Sequence, residues 1–116
     1  MTTPVRLQLS RRKGFDLQAF SRAINGLPAI NCARPGRWGN PFRVERHALY
    51  GWCAQGRGQF QLARDREDAL GKVLDAHRDS MRFRDLSELS GHNLACWCAL
   101  SARCHVDNYF KLACSA

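Results

Sequence analysis

Acidic residues are scarce in the first half of this 116-residue chain. Residues 1–58 hold two, Asp16 and Glu45, against ten Lys/Arg, while residues 59–116 hold eight of each, so the whole formal net charge of +8 arises before residue 59. A basic half of this kind favours a polyanionic partner such as nucleic acid, a nucleotide or another phosphate-bearing ligand; the plainer alternative is a solubilising surface. No apolar run approaches the roughly 20 residues that cross a bilayer, which excludes a membrane-spanning helix. The opening MTTPVRLQLSRRK carries charge from Arg6 onward and has no apolar core of the secretory type, so the expected location is cytoplasmic. Internal repeats, low-complexity tracts and linkers are also missing, and the length suits one domain spanning residues 1–116.

Cysteine is plentiful, with six in the chain. In a reducing compartment they read as thiols, metal ligands or catalytic groups rather than as a disulfide framework. Cys32, Cys53 and Cys114 lie apart from the rest and read as small buried hydrophobes.

Hydrophobic spacing predicts alternating strands and helices. VRLQL (Val5–Leu9) alternates like a half-buried strand. FDLQAFSRAI places Phe15, Ala19, Phe20, Ala23 and Ile24 at helical spacing, ending at Asn25-Gly26. PAINCA (Pro28–Ala33) reads as a second strand, and ALYGWCAQGRGQF is ambiguous because its glycines weaken a helix. REDALGKVLDAHRDSM (Arg66–Met81) is a clear amphipathic helix with Glu67 and Asp68 in its first turn. NLACWC suits a strand buried on both faces, and VDNYFKLA a helix with Val106, Tyr109, Phe110 and Ala113 on one side. The expected fold is α/β: a small, at least partly parallel sheet flanked by helices in a Rossmann-like layering.

Two segments carry candidate chemistry. In NLACWCALSARCH, a strand would put Cys96 and Cys98 on one face with Trp97 opposite, and a five-residue loop returns Cys104 and His105 at the start of the next helix. Cys96, Cys98, Cys104 and His105 have the types and number of a zinc site, although the spacing is unorthodox. Alternatively, Cys104 is a reactive thiol, its thiolate favoured by a helix N-terminus and by Arg103, or Cys98 and Cys104 form a redox pair. A third reading is a packed strand with no chemistry.

In RPGRWGNPF, Gly36 and Gly39 allow a close backbone approach, Pro41 extends Asn40, and Trp38 and Phe42 are large apolar anchors. Such a rigid loop can present Arg34, Arg37 and Asn40 to a ligand at little ordering cost; otherwise it is a packing corner. If PAINCA and NLACWC are parallel strands, both loops leave the same carboxyl edge, where open α/β sheets bind ligands.

RPGRWGNPF followed by LSGHNLACWC and CHVDNYFKLA resembles the bacterial and phage family named domain of unknown function 4326. Its motifs fall on Arg34, Pro35, Trp38, Gly39, Asn40, Pro41, Phe42, Cys96, Trp97, Cys98, Cys104, His105 and Asp107, and the likeness extends to VRLQLSRRKG. Asp16–Leu27 looks like an insertion, Cys32-Ala33 replaces a usual glycine context, and His92 stands where a basic residue is typical. The resemblance implies a compact α/β domain in a phage or prophage setting and brings no settled activity.

Two functions follow. One is a pocket for a nucleotide, nucleoside or other phosphate-bearing ligand between the two loops, with any catalysis carried by Cys104 or Cys98 as nucleophile, His105 as acid/base, Asp107 as its orienter and Arg34 as phosphate anchor. The ligand would touch Arg34, Arg37, Trp38, Gly39 and Asn40. The other is a non-catalytic, zinc-stabilised basic module that docks nucleic acid or a host protein.

Overall fold

The computed structural model describes residues 2–114, with the side chains of Ala113 and Cys114 outside the described residues. In chain order the elements are β1 (Arg6–Gln8), α1 (Leu17–Asn25), β2 (Ala29–Asn31), β3 (Arg43–His47), β4 (Gly51–Gly56), β5 (Gln59–Leu62), α2 (Arg66–Met81), a short 3-10 turn at Ser87–Leu89, β6 (Asn93–Cys96) and α3 (Val106–Cys114). They divide into two compact units, Met1–Gly39 with Asp85–Ala116, and Asn40–Arg84. The architecture is α/β, as the alternation of strand and helix patterns predicts.

The first unit is built on a parallel sheet in the order β1-β6-β2, with Leu7 beside Ala95 and Ile30 beside Leu94. A central parallel strand must be apolar on both sides, and all four residues of β6 are buried. Leu7, Leu9, Ala29, Ala33 and Ala95 form one core cluster, with Phe15 and Leu17 packed against it.

Helix α1 starts at Asp16, whose carboxylate accepts from the amides of Gln18 and Ala19, and stops at Gly26 in the left-handed region. Its predicted apolar face is corrected by the structure. Phe15 packs inward, but Phe20 and Ile24 are 38% and 52% exposed. Polar side chains attach the helix instead. The Gln18 amide donates to the Ala29 carbonyl at 2.8 Å and accepts from the Ala29 amide at 2.9 Å, occupying the outer edge of β2. Ser21 is buried and donates to the Leu27 carbonyl.

The second unit is an antiparallel sheet, β3-β4-β5, with α2 packed against it through a core of Phe42, Ala54 and Val73. The ambiguous ALYGWCAQGRGQF is therefore a hairpin. Arg57 and Gly58, at φ 50° and 75°, form the two-residue turn with both residues left-handed that matches strand twist. Helix α2 has the range its sequence predicts, and Ala69, Val73, His77 and Met81, four residues apart, make the buried stripe. Among the described residues, no helix is long and apolar enough to cross a membrane.

Candidate metal centre

The cysteine-rich segment follows from where β6 ends. The strand stops at Cys96, and Trp97 and Cys98 lie in the bend beyond it. The bend still brings the two thiols together, with Sγ atoms 3.9 Å apart. A turn closed by the Ala102 amide on the Ala99 carbonyl returns the chain to Cys104, and α3 begins two residues later. Cys104 and His105 therefore lie in irregular backbone rather than in the helix. That freedom lets adjacent residues aim at one point, with Cys104 Sγ 3.6 Å from His105 Nδ1. The donor atoms of Cys96, Cys104 and His105, all three buried, lie within 4.8 Å of one another. Partly buried Cys98 joins them through Cys96. Sulfur and imidazole donors at this spacing fit a metal site.

The tautomer of His105 follows from its partners. Its Nε2 lies 2.8 Å from the Cys32 carbonyl oxygen and 3.2 Å from that of Trp38. Carbonyls only accept, so Nε2 carries the hydrogen, and in the neutral ring Nδ1 presents its lone pair to the cysteines. Backbone carbonyls holding the far nitrogen are the usual outer support of a metal-bound histidine. The Tyr109 hydroxyl donates to the same Trp38 carbonyl at 2.7 Å, and its ring meets Trp38 edge-on at 89°.

The thiols are unequal. Cys96 is pulled far below the ordinary thiol range by hydrogen bonding from Cys104 and then Cys98, against the opposing cost of burial. Cys104 is pushed up because it supplies that hydrogen bond to Cys96, then to Cys98, and is itself buried. Cys98 is bonded by Cys104, which lowers it, but Cys96 and burial together leave it raised. Of the three, Cys96 is therefore the thiol whose ionised, cation-binding form is most favoured. Cys32 is different: burial, then the neighbouring Cys96 charge, push it up to about 12, so it is an inert thiol.

Sheet A brings part of the tryptophan loop to the same place. Because β2 and β6 are parallel, the segments after them leave one edge, and the Trp38 carbonyl meets both His105 and Tyr109 there. Trp38 itself is buried, its indole donating to Glu88 at 3.4 Å. Arg37 pairs with Glu88 at 2.7 Å and lies over the Trp38 ring. Arg34 is exposed, and Gly39 folds back against it. Asn40 belongs to the second unit, where it is buried with Oδ1 accepting from the Phe42 amide at 2.9 Å. Asp107 accepts from Arg6 at 3.2 Å and from the Cys104 amide at 3.3 Å.

Sequence reasoning missed three contributors. Arg6 also donates to the Ala99 and Leu100 carbonyls, bracing the turn between the cysteines. Helical spacing groups Tyr109 with Val106 and Phe110 but gives no sign of its role as a donor to the Trp38 carbonyl. Trp97, expected to pack opposite the thiols, is 43% exposed with the Arg11 guanidinium 4.5 Å above its ring. The early end of the strand is the cause, and no local pattern marks it.

The loops after β1, β2 and β6 hold six cations, Arg11, Arg12, Lys13, Arg34, Arg37 and Arg103, and no acidic residue between Leu9 and Phe15, Cys32 and Gly39, or Trp97 and His105. Each unit also holds a cavity. One of about 570 Å³ runs along residues 5–10 with Phe20, Ile24 and Leu100; the other, of about 490 Å³, lies in the second unit beside Arg43 and Phe60. Neither is lined by the clustered cysteines.

Neither a curated protein nor a solved structure matches the chain. A family model does, over residues 18–115, leaving the VRLQLSRRKG segment ahead of the match. By that match the chain belongs to the family described as Domain of unknown function (DUF4326).

Proposed function

We propose that this domain is a zinc-stabilised binding module for a phosphate-bearing polyanion. One observation carries the metal half. Tetrahedral zinc with Zn–S near 2.3 Å and Zn–N near 2.0–2.1 Å requires edges of about 3.8 Å between sulfurs and about 3.6 Å from sulfur to nitrogen. The Cys96–Cys98 and Cys104–His105 separations are 3.9 and 3.6 Å. Cys96, Cys98, Cys104 and Nδ1 of His105 would hold the ion, pinning the end of β6 to the start of α3.

This assignment uses up the groups that a nucleophilic mechanism needs. His105 Nε2 is committed to two carbonyls, and Asp107 Oδ2 to Arg6 and the Cys104 amide. The arrangement supports binding more than acid–base chemistry. The cation-rich, acid-free loops at the carboxyl edge of the parallel sheet support a phosphate-bearing ligand, since open α/β sheets take ligands there. A catalytic version is favoured by one feature, the partial exposure of Cys98, which would let that ligand exchange for a substrate.

Elemental analysis of protein purified without chelators tests the first half, the expected result being stoichiometric zinc that protects the clustered thiols from alkylation. Metal-free protein with freely alkylated Cys98 would refute it. Salt-dependent binding of nucleotides or oligonucleotides tests the second half.

A further inference from the structure

The exposed tryptophan at the carboxyl edge has no part in the metal centre. β1 and β6 are paired to their ends, the Leu9 amide reaching the Cys96 carbonyl at 2.9 Å, so the next residues of both strands emerge side by side. Those residues are Ser10-Arg11-Arg12-Lys13 and Trp97. A large aromatic left 43% exposed on a sheet edge costs solvation, and it stands at the start of the turn that links the clustered cysteines. Arg11, Arg12 and Lys13 are all exposed, and among the described residues none has an ion-pair partner shown.

We infer that Trp97, with Arg11 over its ring and Arg12 and Lys13 beside it, is a stacking platform for an unpaired base of single-stranded nucleic acid. The inference rests on the phosphate-binding reading above and names its ligand class. An indole offers a flat π-face to any base, whereas in a duplex the base faces are already covered. The guanidinium marks the ring as accessible to a planar cation or base, and its flexible stem allows it to move from the ring to a backbone phosphate. Arg12 and Lys13 follow Arg11 in the same exposed segment, so cations for phosphates stand in the strand-end loop that also brings Arg11 to the ring. An acidic peptide would satisfy the cations but would not need the ring.

Fluorescence anisotropy with a labelled oligothymidine of about ten nucleotides tests this at about 50 mM and about 200 mM salt. Wild type, Trp97→Ala, Trp97→Phe and Arg11→Ala are compared, each checked for zinc content and circular dichroism. Trp97→Ala is expected to weaken binding about tenfold or more, and Trp97→Phe only a few-fold, because a smaller ring still stacks. Arg11→Ala should weaken binding and lower the salt slope by about one. If Trp97→Ala binds like wild type, the platform is wrong while the phosphate-binding module stands. If wild type binds no oligonucleotide even at low salt, the platform falls, and the phosphate-binding reading falls with it only if free nucleotides also fail to bind. Equal competition by poly-glutamate that also depends on Trp97 would overturn the nucleic-acid assignment in favour of a protein partner.

Discussion

Gly39 lies directly against the backbone of Arg34: a Cβ at Gly39 would come 2.8 Å from the Arg34 Cα and 2.9 Å from its nitrogen. Neither atom is the tip of a flexible side chain, so the loop would have to open. Because the Trp38 carbonyl next to Gly39 holds both His105 and Tyr109, opening the loop also disturbs the support of the candidate metal centre. Gly39→Ala should therefore destabilise the protein by about 1–3 kcal/mol, as overpacking does, and should lower zinc affinity. Urea unfolding and competition with a chromogenic chelator measure the two effects. A Gly39→Ala protein with wild-type values for both would show that the loop is not held there.

Asn93 provides the second prediction. It is fully buried at the start of β6, and all four of its amide positions are used: Oδ1 accepts from the Val5 amide at 3.0 Å and from Asn25 at 2.9 Å, while Nδ2 donates to Ser21 and to Asn25 Oδ1, each at 2.8 Å. Replacing it with Leu removes those partners together and leaves buried polar atoms behind. A loss of about 2–4 kcal/mol is expected in chemical denaturation.

Much of the first unit was legible because its signals are local. The apolar run of β6 and the Asn25-Gly26 stop of α1 each depend on a few neighbouring residues, as does the dipole-matched start of α2 in the second unit. The parallel pairing of β2 with β6, on which a shared loop edge depended, is present, and the Trp38 carbonyl meets His105 beyond it. The hairpin was missed because Gly51, Gly56 and Gly58 were weighed as poor helix formers when they mark turns. The outer face of α1 was misjudged for another reason: Gln18 and Ser21 hold the helix by hydrogen bonds, leaving Phe20 and Ile24 outside. Periodicity reports apolar faces and has no access to such partners. The Nδ1–Sγ geometry at His105 was likewise hidden, since it depends on carbonyls 67 and 73 residues away in the chain.

In the second unit, Asp68 has its carboxyl lowered to about 2, first by the hydrogen bond from Lys72 and then by that from the Arg64 amide. The contacts measure 2.8 and 3.0 Å. A carboxyl whose folded value lies below its unfolded value stabilises the fold while ionised. That contribution is complete above pH about 4 and is lost as pH falls through about 2. An NMR titration of the Asp68 carboxyl should give the low midpoint, and Lys72→Met should raise it toward the ordinary aspartate range. An unchanged midpoint in Lys72→Met would assign the shift to the Arg64 amide instead.

Metal removal should separate the clustered cysteines from the solitary ones. An ion that binds only the folded state adds RT ln(1 + [L]/Kd), about 4 kcal/mol at a thousandfold excess over Kd. For a chain of this length that corresponds to a melting shift on the order of 10 °C. Chelation should lower the melting temperature of wild type and of Cys53→Ala alike, because Cys53 lies in the second unit with its thiol bonded to the Glu45 carbonyl. Cys96→Ser should melt low from the start and respond neither to chelator nor to added zinc. Cys98→Ser should keep part of the response, since three donors remain in place and water can occupy the fourth position at a partly exposed ligand. A chelator shift equal in Cys96→Ser and wild type would place the stabilising ion somewhere else in the molecule.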